Sequence, residues 1–202
     1  AKIAALGLRV DHLVGDLDSL RPDEVARAEA AGTTVHRHPA DKDATDAELA
    51  VDLAERLRAT AGHDRARLLV IGEATGRLDL LLADVALLAS ARTTGFAVTA
   101  HLGSATLRIA RPGRPVTVVG TPGEQVSLLP CGGEARGVTT EGLRWPLLDA
   151  TLAVGTTRGV SNELVGREAT VAVGVGTLAV VQPGTVGATP ADRLGPYDPS
   201  PR

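Results

Sequence analysis

An α/β domain with a mostly parallel sheet, followed by an all-β sandwich, is the fold class this sequence predicts, and three observations predict it. From Val10 to Phe96, short apolar runs alternate with amphipathic stretches, the pattern of strands layered against helices. After Gly103 the helical period disappears, and short β-rich runs are separated by Gly and Pro turns. Each polar motif of the first half follows an apolar run, where open parallel sheets collect ligands at strand ends.

The elements follow in order. Asp11–Val14 reads as a strand and Arg21–Ala31 as a helix closed by Gly32, the residue best suited to a left-handed cap. Thr34–His38 is a second strand. Asp46–Ala61 is a helix whose Leu49, Ala50, Leu53, Ala54 and Leu57 repeat as a buried stripe, ended by Gly62. Leu68–Ile71 is a fully apolar strand, Leu78–Ala91 a helix and Phe96–Ala100 a fourth strand. The second half offers β-runs at Thr106–Ala110, Val116–Val119, Val126–Leu129, Ala150–Val154, Thr170–Val175 and Leu178–Val181. This sets expected boundaries of 1–102, 103–182 and a Pro- and Gly-rich, disordered tail at 183–202. Ala1–Leu8 reads as the tail of a helix with no start signal, so further chain is expected upstream.

Composition removes several function classes. The 202 residues are 44% apolar and 22% charged, with a net charge of −3 and no long basic run, which argues against a nucleic-acid partner. The apolar stretches are too short to span a bilayer, and no signal peptide is present, so no membrane partner and a cytoplasmic location are expected. One cysteine, Cys131, excludes an internal disulfide framework and reads as an idle thiol. Phe96, Trp145 and Tyr197 are the only aromatics, so a flat ligand has essentially Trp145 to stack on.

Three motifs carry chemistry. In Gly15-Asp16-Leu17-Asp18-Ser19, two carboxylates at i and i+2 of an extended segment point the same way and suit one Mg²⁺; alternatively Asp18 or Ser19 caps the next helix. In Asp41-Lys42-Asp43-Ala44-Thr45-Asp46, a helix start puts Asp43 and Asp46 on one face. Thr45 or Asp46 serves there as N-cap, while Lys42 between aspartates suits a metal-bound phosphate. In Gly72-Glu73-Ala74-Thr75-Gly76-Arg77-Leu78-Asp79, glycines and an arginine at a strand-to-helix turn form a phosphate cradle, or plain turn formers, without P-loop or dinucleotide spacing.

Taken in order, these segments resemble the signature segments of thiamine pyrophosphokinases. So do Thr139-Thr140-Glu141-Gly142-Leu143-Arg144-Trp145-Pro146-Leu147 and Gly159-Val160-Ser161-Asn162-Glu163. The resemblance implies a catalytic, nucleotide-binding domain at 1–102, a thiamine-binding sandwich at 103–182 and a homodimer with active sites between subunits. It implies thiamine and ATP as substrates and Mg²⁺ as cofactor. By the same resemblance Asp16, Asp18, Asp43 and Asp46 handle metal and phosphates, with Asp79 among the catalytic carboxylates. Lys42, Thr45, Gly72, Gly76 and Arg77 hold the triphosphate, and Trp145, Ser161 and Asn162 form the thiamine pocket. Two departures stand out: Leu80 and Thr75 replace residues usual in the third motif, and an upstream Asp-Gly-Gly segment is absent. They motivate a rival reading, a non-catalytic relative that binds thiamine or nucleotide. A third is another Mg-nucleotide-dependent transferase.

Overall fold

The computed structural model describes residues 8–64, 66–72 and 77–184. The helical remnant expected at the start and nearly all of the expected disordered tail lie outside these residues, as do Thr75 and Gly76. The chain divides into two compact units, residues 1–62 and 63–202.

The first unit is a β-α-β unit followed by a helix. β1 (His12–Gly15) pairs in parallel with β2 (Thr34–Arg37), His12 opposite Thr34 and Gly15 opposite Arg37. Between them runs α1 (Pro22–Ala30), whose proline occupies the first turn, where a missing N–H is harmless. The Glu24 carboxylate accepts from the Arg21 amide at 3.0 Å, so Arg21 rather than Asp18 or Ser19 begins the helix. At the other end Gly32 adopts φ 91°, and the Thr33 amide donates to the Ala28 carbonyl while Gly32 donates to Glu29, a Schellman closure that a Cβ would strain.

α2 (Asp46–Thr60) packs against β1. Its buried residues are Val51 and Leu53, with Leu49 half-buried and Leu57 exposed. The stripe expected through Ala50 and Leu57 is thereby corrected: the helix turns Val51 inward, and a β-branched side chain buries more apolar area than the alanine beside it.

The second unit is built on a nine-stranded sheet in the order β3-β4-β5-β11-β7-β10-β6, with β8 and β9 attached to β7. β3 (Ala66–Gly72) and β4 (Phe96–Leu102) are parallel, joined through α3 (Leu78–Ala89) and a short 3-10 turn at Ala91–Thr93. β4 then turns back as an antiparallel hairpin into β5 (Ala105–Ala110). The sheet therefore continues through residue 103, where the sequence reading sets a boundary.

β6 (Val116–Val119), β8 (Ala150–Leu152), β9 (Asn162–Glu163), β10 (Glu168–Ala172) and β11 (Val175–Gln182) surround one long strand, β7 (Gln125–Glu141). The sequence shows only the first part of β7, because Gly132-Gly133 reads as a turn. In the fold that pair is an irregularity inside the ladder, where the register with β11 shifts between Val175 and Thr177. The shift lets one strand serve β11 along most of its length and β10 at its end. Val118, Leu128, Val138, Leu152, Val171 and Leu178 meet in the apolar core that these strands enclose.

Candidate functional site

The first unit gathers polar groups at the end of β1. The strand stops at buried Gly15 (φ 140°), and Asp46, the first residue of α2, lies over it: a Cβ at Gly15 would stand 2.5 Å from an Asp46 carboxylate oxygen. Thr45 caps α2, its hydroxyl accepting from the Glu48 amide at 3.2 Å. Asp43 therefore precedes the cap and is exposed. The helical spacing expected between Asp43 and Asp46 does not apply to it.

Lys42 joins the first two motifs. Its ammonium, on a side chain only 14% exposed, lies 3.3 Å from Asp16 Oδ2 and 3.0 Å from Asp46 Oδ1. Asp16 also accepts from the Asp18 amide at 3.2 Å. That amide holds the Asp16 carboxyl below the usual carboxylate range, with Lys42 adding to the effect and burial opposing it. Asp46 and then Asp16 push the Lys42 ammonium up, again against burial.

The turn between the two aspartates is not the extended segment the sequence predicts. Leu17 adopts φ 64° yet is buried. A left-handed leucine costs about 1–2 kcal/mol, whereas burying its side chain contributes about 1.5–3 kcal/mol. Burial prevails, and the turn aims the Asp16 carboxylate back at the Asp18 amide while Asp18 itself stays exposed. Among the described residues no group of three or more His, Cys, Asp or Glu is arranged to hold a metal ion. Magnesium commonly needs only one or two carboxylates, the rest of its shell coming from phosphates and water. Asp16 and Asp18, on one turn beside Lys42, fit that donor set.

Replacing Gly15 by alanine is expected to lower turnover about tenfold with the protein still folded. The new methyl group would displace the Asp46 carboxylate, the movable end of a side chain, away from Lys42. Steady-state kinetics alongside circular dichroism checks this; wild-type turnover would show that the position of Asp46 is immaterial.

The second unit holds the remaining candidates. Gly72 ends β3, and its carbonyl accepts from the Gly103 amide at 3.0 Å. Arg77 starts α3 and donates through Nε to Asp79 Oδ1 at 2.9 Å, with a second contact from Nη2 to Oδ2. The pair is exposed, and the guanidinium holds the Asp79 carboxyl down to about 2.

Trp145 is 53% exposed, which removes it from the sandwich core. Its backbone is held by Asn162, itself 6% exposed: Oδ1 accepts from the Trp145 amide at 3.1 Å, and Nδ2 donates to the Trp145 carbonyl at 2.7 Å. Ser161 is exposed, with φ 58°, and its amide donates to the Ser127 hydroxyl at 3.1 Å. The Arg144 guanidinium lies 5.0 Å from the Trp145 ring centroid and 2.8 Å from Glu163. Sequence reasoning missed Arg144 and Glu163; the signal available was an arginine beside the only tryptophan.

Comparison with known proteins covers both units. Residues 2–100 match the family description Thiamin pyrophosphokinase, catalytic domain, and residues 114–178 match Thiamin pyrophosphokinase, vitamin B1 binding domain. A curated relative, the thiamine pyrophosphokinase of Bacillus subtilis (strain 168), is 26% identical over 168 residues, covering 83% of this chain and 76% of the relative. The crystal structure of a thiamin pyrophosphokinase from Geobacillus thermodenitrificans superposes with a TM-score of 0.69 at 26% identity, covering 93% of this chain and 83% of that one. A thiamin pyrophosphokinase family protein from Enterococcus faecalis gives a TM-score of 0.72 at 25% identity, covering 90% and 83%. With both domains matched in order along most of its length, the chain belongs to the thiamin pyrophosphokinase family.

Proposed function

We propose that this chain transfers the diphosphate of ATP to the hydroxyl of thiamine, giving thiamine diphosphate and AMP, and that it works as a homodimer. The observation that carries the reading is Lys42 standing between Asp16 and Asp46, which joins two distant motifs around one partly buried ammonium. Family membership supplies the substrate class.

Transfer of this kind needs positioning and charge neutralisation more than covalent chemistry. Lys42 is placed to bind phosphate oxygens, and Thr45 fixes the start of α2 whose positive end faces the same cluster. Asp16 and Asp18 would hold magnesium, which when bound neutralises charge on the triphosphate, and Asp46 stands at the edge of that donor set beside Lys42. Asp79 is a poor proton acceptor while Arg77 holds its carboxyl near 2. Asp46, whose side chain is half exposed beside Lys42, is the proposed acceptor of the hydroxyl proton. Arg77 would bind phosphate once released from Asp79, and Gly72 and Gly76 are proposed as phosphate-binding with it because they share its sequence motif. Trp145 would offer its face to the cationic ring of thiamine, with Ser161, the chain neighbour of the anchoring Asn162, in the same proposed pocket.

Incubating the protein with thiamine, ATP and Mg²⁺ should release AMP in step with thiamine diphosphate. Release of ADP would overturn the diphosphate transfer. Thiamine binding by calorimetry without any nucleotide product would leave the non-catalytic reading in its place.

No helix among the described residues is long and apolar enough to cross a membrane. We place the enzyme in the cytoplasm as part of the same proposal.

A further inference from the structure

Beyond the residues assigned above, β5 ends in a tight turn that sets two arginines side by side. Arg111 and Arg114 flank Pro112-Gly113, the Arg111 amide donating to the Arg114 carbonyl at 3.2 Å and the Arg114 amide returning to Arg111 at 2.8 Å. Both line a cavity of about 180 Å³ together with Arg108, Thr99 and Thr117, and its lining contains no aspartate or glutamate. Arg108 is engaged, its Nη1 donating to Gln182 Oε1 at 2.7 Å, and Arg111 and Arg114 bring two further guanidinium groups to the same space.

Arg111 is the unusual member. It is 7% exposed, and its Nη2 donates to the Ser90 carbonyl at 2.7 Å and to Thr93 Oγ1 at 2.9 Å, which anchors the end of α3. Its Nη1 is buried with no hydrogen-bond partner, the one such side-chain atom among the described residues. A buried guanidinium nitrogen left unpaired is costly and calls for a missing acceptor. Burial pulls the Arg111 pKa down first, and the like charge of Arg114 second, so a neighbouring anion would relieve both.

We infer that Arg108, Arg111 and Arg114 form a site for a small phosphate-class oxyanion, separate from the Asp16-Lys42-Asp46 cluster. Guanidinium forks match tetrahedral oxyanions, and the two threonine hydroxyls add donors. The volume suits a phosphate or diphosphate group, being below the roughly 300–1,000 Å³ of pockets that enclose larger ligands. The group can come from a free anion or from the terminal phosphate of a monoester such as AMP.

Calorimetry in a buffer free of phosphate and sulfate tests this, with orthophosphate, diphosphate and AMP titrated separately into the wild type and into Arg114→Gln and Lys42→Met. At least one probe should bind the wild type and Lys42→Met alike, and Arg114→Gln should weaken it by about tenfold or more. AMP binding with that sensitivity identifies a phosphate ester as ligand; orthophosphate or diphosphate alone identifies a free anion. Binding lost in Lys42→Met but unchanged in Arg114→Gln, or no binding by any probe, would overturn the site. Arg108→Gln gives a second reading should circular dichroism show that Arg114→Gln unfolds.

Discussion

Replacing Lys42 with methionine is expected to lower kcat by about 100-fold or more while leaving the fold intact. Methionine keeps the length of the aliphatic stem and removes the charge. The loss falls on catalysis for two reasons. The ammonium that the substrate's phosphates would meet is gone, and removing one preorganised electrostatic group commonly costs about 10²–10³ in rate. In addition, Asp16 and Asp46, each within 3.3 Å of Lys42 in the wild type, would face each other with no cation between them. Lys42→Arg should recover little, because a planar fork does not fit where a compact, partly buried ammonium meets two carboxylates.

The pH dependence follows from the signs of the shifts. The Asp16 carboxyl is lowered, so its contribution is present above the ordinary carboxylate range and is lost as pH falls through the lowered value. The Lys42 ammonium is raised, so its contribution is present below the ordinary ammonium range and is lost only as pH rises through the raised value. Between these limits Asp16 and Lys42 both stay charged. Lys42→Met should therefore change the height of the kcat profile near neutral pH and not its shape. A neutral-pH transition that disappears in the variant would show that Lys42 titrates there, contrary to this account.

How far the sequence reveals such a site depends on the range of the forces involved. Gly32 and Thr45 were legible because helix ends are fixed by local backbone hydrogen bonds, and the structure shows both in the roles their chemistry predicts. The strand at Val116–Val119 was legible from its alternation, with Val116 and Val118 buried. Leu17 was not, since nothing local favours a left-handed leucine; only burial of its side chain stabilises the turn. The later part of β7 was hidden for the same reason, because pairing with β11 holds a Gly132-Gly133 segment that would turn in isolation. Within the candidate site the residue types were readable, and the placement of Asp43 outside α2 was not. That placement depends on Thr45 taking the cap one residue before Asp46.

Trp145→Ala should raise the KM for thiamine by about 30-fold, corresponding to roughly 2 kcal/mol for a desolvated cation over an indole face. Asn162→Ala should raise it nearly as much with little change in kcat, although the Asn162 amide is turned to the backbone. Asn162 Oδ1 accepts from the amides of Trp145 and Glu163, and Nδ2 donates to the Trp145 carbonyl, which uses three of its four hydrogen-bonding positions. The side chain is thus a positioning residue, and its loss would leave the Trp145 peptide groups without partners and the indole without a fixed orientation. The ring is not bare: Arg144 lies over it, tethered by Glu163, so an incoming cationic ring must displace the guanidinium or use the opposite face. Asn162→Asp separates positioning from simple loss of volume, since aspartate still accepts from the two amides but cannot donate to the Trp145 carbonyl. An intermediate KM for this variant, with tryptophan fluorescence shifted part of the way towards that of Asn162→Ala, is the expected result. A wild-type KM in Asn162→Ala beside a raised one in Trp145→Ala would mean that the indole binds thiamine without needing its anchor.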